Sequence, residues 1–104
     1  MICRIWRAAA SPEGAKAYRA HVSQVVLPHL RRLAGFSGAY VLEREQDGEV
    51  ELQVMTLWGT LEAIRAFAGS DIGTAIVEPE ARAVLARYDR TVSHHTVVIT
   101  AAAG

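Results

Sequence analysis

From Val50 to Trp58 the chain alternates. Val50, Leu52, Val54 and Trp58 are apolar, Glu51 and Gln53 lie between them, and Thr56 is the one even position that breaks the series. A period of two describes a strand with one buried face. The period then changes: Thr60 offers a hydroxyl as helix N-cap, Leu61, Ile64, Phe67 and Ala68 form an apolar stripe at helical spacing, and Gly69 ends it. The same reading extends to both sides. Ile2, Cys3, Ile5 and Trp6 around Arg4 and Arg7 predict a short strand over Met1–Ala8. Ser11-Pro12-Glu13 starts a helix, with Ser as N-cap, Pro in the first turn and a carboxylate near the positive end of the dipole. Ala15, Tyr18, Val22, Val25, Val26, Leu30 and Leu33 carry its apolar stripe, which Pro28 interrupts, so a kink or restart is expected near Leu27-Pro28 and a stop at Gly35.

Phe36 to Glu45 is the second strand, and the Asp-Gly pair in Gln46-Asp47-Gly48-Glu49 turns it back as a hairpin onto the Val50–Trp58 strand. Ser70 to Glu78 is ambiguous. Glu78-Pro79-Glu80 starts a short helix bearing Ala81, Val84, Leu85 and Tyr88, and Thr91 to Thr100 is the last strand, with Val97-Val98-Ile99 expected to be covered on both faces. Ala101 to Gly104 is expected to fray. Strand, helix, strand, strand, helical region, strand is the order of an α+β, ferredoxin-like βαββαβ domain with a four-stranded antiparallel sheet and both helices on one face.

Composition adds three constraints. The 104 residues suffice for one domain, 1–104, yet 51% of them are hydrophobic, more than a monomer this small can hide, so an apolar sheet face is expected to meet a second copy. Formal net charge is zero and the arginines are dispersed, with Lys16 the sole lysine, which argues against a nucleic-acid partner. The single Cys3 excludes an internal disulfide and a cysteine-based zinc site. There is no signal-peptide layout and no apolar run long enough for a bilayer, so the expectation is a cytoplasmic protein with no membrane partner.

The segments Gly35-Phe36-Ser37-Gly38-Ala39-Tyr40, Leu57-Trp58-Gly59-Thr60-Leu61-Glu62-Ala63-Ile64 and Phe67-Ala68-Gly69-Ser70-Asp71 resemble the antibiotic biosynthesis monooxygenase superfamily, in order and over nearly the whole chain. The resemblance implies a dimeric α+β barrel, two subunits packed sheet to sheet, each with a pocket between its helices and its sheet. It also implies chemistry: characterised members include cofactor-independent oxygenases of polyphenols and a haem-degrading branch. That branch carries an Asn, a Trp and a His at positions that fall on Arg7, Phe67 and Val77 here, so haem degradation is not expected.

No triad, Cys/His pair, phosphate loop or metal motif emerges by spacing. His94 and His95 are adjacent, so on a strand they face opposite ways and at most one meets the pocket. His29 falls in the apolar stripe just after Pro28, as a general base or as a structural histidine. His21 flanks the same stripe as a half-exposed imidazole. Trp58 either walls a pocket for a flat ring or packs beneath the following helix. Arg7, in place of the branch's Asn, either meets a ligand anion or lies on the surface. The candidates are therefore His29, His94 and Arg7 for catalysis and Trp58, Phe67 and Tyr18 for substrate, with no cofactor and no metal. The reading is a cofactor-independent monooxygenase for a small aromatic or quinone-type molecule. The alternative is a non-catalytic ligand-binding or dimerisation module.

Overall fold

The computed structural model describes Met1–Ala103; the terminal Gly104 lies outside the described residues. Its elements follow the hydrophobic pattern: β1 (Ile2–Ala10), α1 (Pro12–His21), a π-helical turn (Val22–Val26), α2 (Leu27–Leu30), β2 (Phe36–Gln46), β3 (Glu49–Trp58), α3 (Leu61–Ala68), α4 (Pro79–Val84), β4 (Arg87–Tyr88) and β5 (Ser93–Thr96). One antiparallel sheet runs β2-β3-β1, and the fourth position beside β1 is filled by two short strands, β4 opposite Ala8–Ala9 and β5 opposite Ile2–Ile5. The ferredoxin-like layout thus holds, with its last strand divided.

Register sorts the side chains into two faces. Ile2, Arg4, Trp6, Ala8 and Ala10 pair with Trp58, Thr56, Val54, Leu52 and Val50. Trp58, Leu52, Val50 and Ala10 of these belong to the buried core, so this is the helix-covered side. Ile5 and Arg7, opposite Met55 and Gln53, share the other, open side. The core has two parts. Ala10, Ala15, Tyr18, Val22, Val50, Leu52 and Ala81 form one, Leu30, Trp58 and Ile64 the other, and Val26 and Leu27 pack against both.

Trp58 is wholly buried, stacked on Phe67 (centroids 5.3 Å apart, planes at 24°) and edge-on to Phe36 (5.4 Å, 71°). Its indole N–H would be orphaned in such a place; it donates to Thr56 Oγ1 at 2.9 Å. The polar break in the β3 alternation therefore exists to satisfy the tryptophan two residues on. Thr60 caps α3 as expected, accepting from the Ala63 N–H at 3.1 Å. Ahead of β2, Gly35 has φ +84° and a Cβ there would collide with that of Ala63, so only glycine closes this corner.

The break at Pro28 takes a specific form. Pro28 has no N–H to return to the preceding turn, and the helix relaxes just before it into a π turn in which Leu27 N–H bonds Val22 O, five residues back. One extra residue in the turn slips the helical phase, so Val25, expected in the buried stripe, is 50% exposed.

Two boundaries in the C-terminal part differ from the sequence reading. Helix α4 ends at Val84, and Tyr88, expected on it, pairs with Ala8 in β4. The last strand stops at Thr96 rather than Thr100. Val97 N–H still bonds Met1 O at 3.0 Å, but β1 offers nothing beyond, and Val98 and Ile99 stand 85% and 83% exposed instead of covered. No helix among the described residues is long and apolar enough to cross a membrane.

Two substitutions test the packing of β3 onto α3. Trp58→Ala should cost about 3–5 kcal/mol, the range for deleting a buried large aromatic. Thr56→Val, nearly isosteric, should cost about 1–3 kcal/mol by leaving the indole N–H unpaired. Urea unfolding followed by far-UV circular dichroism measures both, and a Thr56→Val midpoint equal to the wild type would remove the hydrogen bond from the account.

Candidate functional site

Between the helical layer and the sheet lies a cavity of about 110 Å³. Its wall is mainly apolar: Val22 and Val26 from the π turn, Leu27 from α2, Val41 and Val54 from the sheet, Val77 from the loop before α4. The π turn has a role here, because a helix that widens beside a cavity packs less closely than a regular turn would.

A few polar groups interrupt the wall. Arg4 is the foremost. It comes from the covered face of β1 and is 5% exposed. Its Nη1 donates to Ile72 O at 2.6 Å and lies 3.0 Å from His94 Nε2, and its Nη2 donates to Thr74 O at 3.1 Å. The guanidinium also sits 5.8 Å above the Phe67 ring, within cation–π range. A guanidinium only donates, so His94 Nε2 must accept, which places the imidazole proton on Nδ1 and leaves the ring neutral. Burial, then the positive charge of Arg4, then His95 push the His94 pKa below its ordinary value. Burial likewise lowers the Arg4 pKa, from a starting value so high that the group stays charged. Among the described residues no carboxylate pairs with Arg4; the arginine ion pairs are Arg19–Glu43, Arg44–Glu51, Arg65–Glu62 and Arg87–Glu49.

The second polar group is His21. The His21 side chain is 10% exposed, its Nε2 has no hydrogen-bond partner, and the nearest carboxylate oxygen, Glu78 Oε2, is 3.7 Å away. Tyr18, one turn earlier on α1, is buried against Trp6 at 6.1 Å between centroids. Burial, with Glu78 adding to it, pushes the Tyr18 pKa up to about 12, so its hydroxyl stays protonated.

The six sequence candidates are distributed unevenly. Phe67 and Tyr18 line the cavity. His94 faces the covered side and reaches the cavity through Arg4, while His95 points to the open side and contacts Ser93 Oγ at 2.9 Å. His29 lies on the cavity's outer wall and is exposed. Trp58 stands behind the wall as core, in contact with its lining residues Phe67 and Thr56. Arg7 is exposed on the opposite face of the sheet, in a broad open depression of about 750 Å³ with Leu42, Gln53 and Asp89, so the sheet separates it from His29.

Sequence reasoning passed over Arg4 and set His21 aside. The signal for Arg4 was present: it shares parity with Ile2 and Trp6, and its partner in register is Thr56, the only other polar residue on a buried stretch. For His21 the stripe phase placed it at an edge; that Glu78 and the loop would cover it was not legible. No group of three His, Cys, Asp or Glu side chains converges among the described residues.

This architecture recurs in solved structures. Rv0793 from Mycobacterium tuberculosis superposes with a TM-score of 0.63 over 97% of this chain and 98% of its own, at 21% identity. A mutant of MhuD, solved with two manganese protoporphyrin IX molecules bound per active site, gives 0.63 over 99% and 100% at 21% identity. A candidate antibiotic biosynthesis monooxygenase from Bacillus cereus gives 0.61 over 98% and 96% at 18% identity. The chain is an α+β ferredoxin-like domain. Its particular version of that fold is the one found in antibiotic biosynthesis monooxygenase proteins. No protein-family model and no curated protein matches the sequence.

The depressed His94 pKa makes a signed prediction. Unfolding restores the ordinary value of about 6.5, so between the folded-state pKa and 6.5 the unfolded chain binds more protons. The His94 contribution is fully present above that window and is lost as pH falls through it. His94→Gln, whose amide oxygen can still accept from Arg4, should flatten the part of the stability–pH curve just below 6.5. Urea midpoints from neutral to mildly acidic pH give the comparison, and identical slopes for the two proteins would assign the loss elsewhere.

Proposed function

We propose that this chain is a small cofactor-independent oxygenase acting on an aromatic or quinone-type molecule in the cavity between helices and sheet. The observation that supports it is the presence of an unpartnered imidazole nitrogen and a carboxylate-free guanidinium among the groups that line one cavity. His21 Nε2 is placed to take a phenolic proton, with Glu78 stabilising the imidazolium so formed. The positive charge of Arg4, in the part the sequence suggested for Arg7, favours the ionised ring across the cavity without touching the phenolic oxygen, and His94 positions Arg4. The apolar remainder excludes water. The ionised substrate supplies all four electrons: a ring carbon exchanges its C–H bond for a bond to one atom of dioxygen, the other atom leaves as water with the ring hydrogen and the phenolic proton, and the product is a quinone. A porphyrin does not fit a cavity of about 110 Å³, and Val77 stands where the haem branch has its His.

Oxygen uptake with hydroquinone or para-hydroxybenzoate, in the presence of a metal chelator, tests the reading. His21→Gln should lower turnover by about 10²-fold or more, the scale of a lost general base, with His95→Gln on the open face as control. Uptake that survives His21→Gln, or none with any small phenol, rejects the oxygenase. The second outcome leaves the non-catalytic binding or dimerisation module.

The proposal extends to a homodimer through the open face of the sheet. Tyr40 and Leu42 are 60% and 45% exposed there, beside the half-buried Ile5 and Met55, and an apolar face of this kind calls for a cover. The lone thiol, Cys3, is free and buried, as suits a cytoplasmic setting. Sedimentation equilibrium at micromolar concentration should give twice the chain mass, and Leu42→Arg should reduce it to one. A wild-type monomer would discard the barrel.

A further inference from the structure

The cavity holds a cation with donors to spare. A guanidinium has five N–H bonds. Arg4 uses two from Nη1, to Ile72 O and His94, and one from Nη2, to Thr74 O; no partner is present for Nε–H or for the second Nη2–H among the described residues. Two carbonyls, an imidazole and an aromatic face hold the group still, and none of them neutralises it. A buried charge left in that state is costly unless a counter-ion arrives with the ligand.

We infer that the ligand is a single-ring aromatic carboxylate, its carboxylate taken by the free donors of Arg4 and its far substituent directed toward His21. The inference rests on the cavity being the ligand site. A carboxylate is favoured over a phosphate because there is one cation rather than several, and the remaining wall is apolar. Orientation follows from charge. Glu78 sits with His21 and raises the Tyr18 pKa, so an anion avoids that side and settles at Arg4. Size follows from volume. A dry cavity of about 150 Å³ holds benzene, and the cavity of about 110 Å³ here is smaller, so one substituted ring enters only as the wall gives way, and two fused rings are the poorer fit. Trp6, one pleat repeat along β1 from Arg4 and about 7 Å further on, lies toward Tyr18 and gives the ring an aromatic wall midway.

Isothermal titration of the wild-type protein near neutral pH with three probes tests this. Para-hydroxybenzoate should bind at least about tenfold tighter than para-hydroxybenzamide, which has the same shape without the charge. Hydroxynaphthoate should bind more weakly than para-hydroxybenzoate. Arg4→Met, checked for folding by circular dichroism, should erase the preference for the acid, and Arg4→Lys should keep part of it. Equal affinity for acid and amide in the wild type overturns the anion assignment whatever the variants do, and tight hydroxynaphthoate binding overturns the size assignment. If the acid and amide both fail to bind, the cavity is not the ligand site, and the oxygenase reading falls with the inference. If they bind equally while His21-dependent oxygen uptake persists, the inference alone fails.

Discussion

A charged guanidinium beneath the helices is the constraint around which this small domain is arranged. Arg4 sits on a strand whose neighbours on the same face are Ile2 and Trp6, so burial is imposed on it by register rather than chosen by its chemistry. The fold answers with carbonyls of the Ile72–Thr74 loop, the His94 ring from β5 and the Phe67 face from α3. Three segments distant in sequence are thereby tied to the first strand by one side chain. The loop between α3 and α4, bridged to the chain ahead of β5 only at Thr74–Thr91, gains a second anchor because its Ile72 and Thr74 carbonyls accept from Arg4.

The divided cavity wall follows from the same economy. The two core clusters each close well, around Leu52 and Val50 on one side and around Trp58 and Ile64 on the other. What lies between them is bordered by the π turn, by Arg4 and by His21. These are the groups that cannot pack tightly: a widened helix, a cation with donors to spare and an imidazole with an unmet nitrogen. Space in a protein of this size persists where packing is frustrated, and here the frustrated groups are also the chemically competent ones.

Most of the architecture was legible in the chain because local signals agreed with the tertiary result. The Asp47-Gly48 turn, with φ of 55° and 79°, the Ser11 and Thr60 caps and the β3 alternation all said the same thing. The C-terminal third was less so. Val97-Val98-Ile99 reads as a buried strand by composition, yet burial needs a partner, and none of the described residues lies against Val98 or Ile99 to cover them. The site was legible only in part. Parity alone separates Arg4 from Arg7, and it puts the former inside; the resemblance to a family with a polar residue near Arg7 drew attention to the wrong side of the sheet. His29 looked central because helical phase was carried across Pro28, and the π turn had already shifted that phase. At about 20% identity, the solved structures with this fold share its frame and leave the wall residues free to differ.

The π turn also bears on how such a cavity can change over generations. A turn closed over five residues instead of four contains one residue more than the regular helix needs, which is what an insertion looks like once a helix has absorbed it. The width of the chamber then depends on chain length at Val22–Val26 as well as on the size of the side chains that line it. Loss of one codon there would restore a regular turn, draw α1 toward the sheet and close the space, while gain of another would open it. Descendants of this chain can therefore tune the volume of the chamber without altering Arg4, His21 or the packing of Trp58.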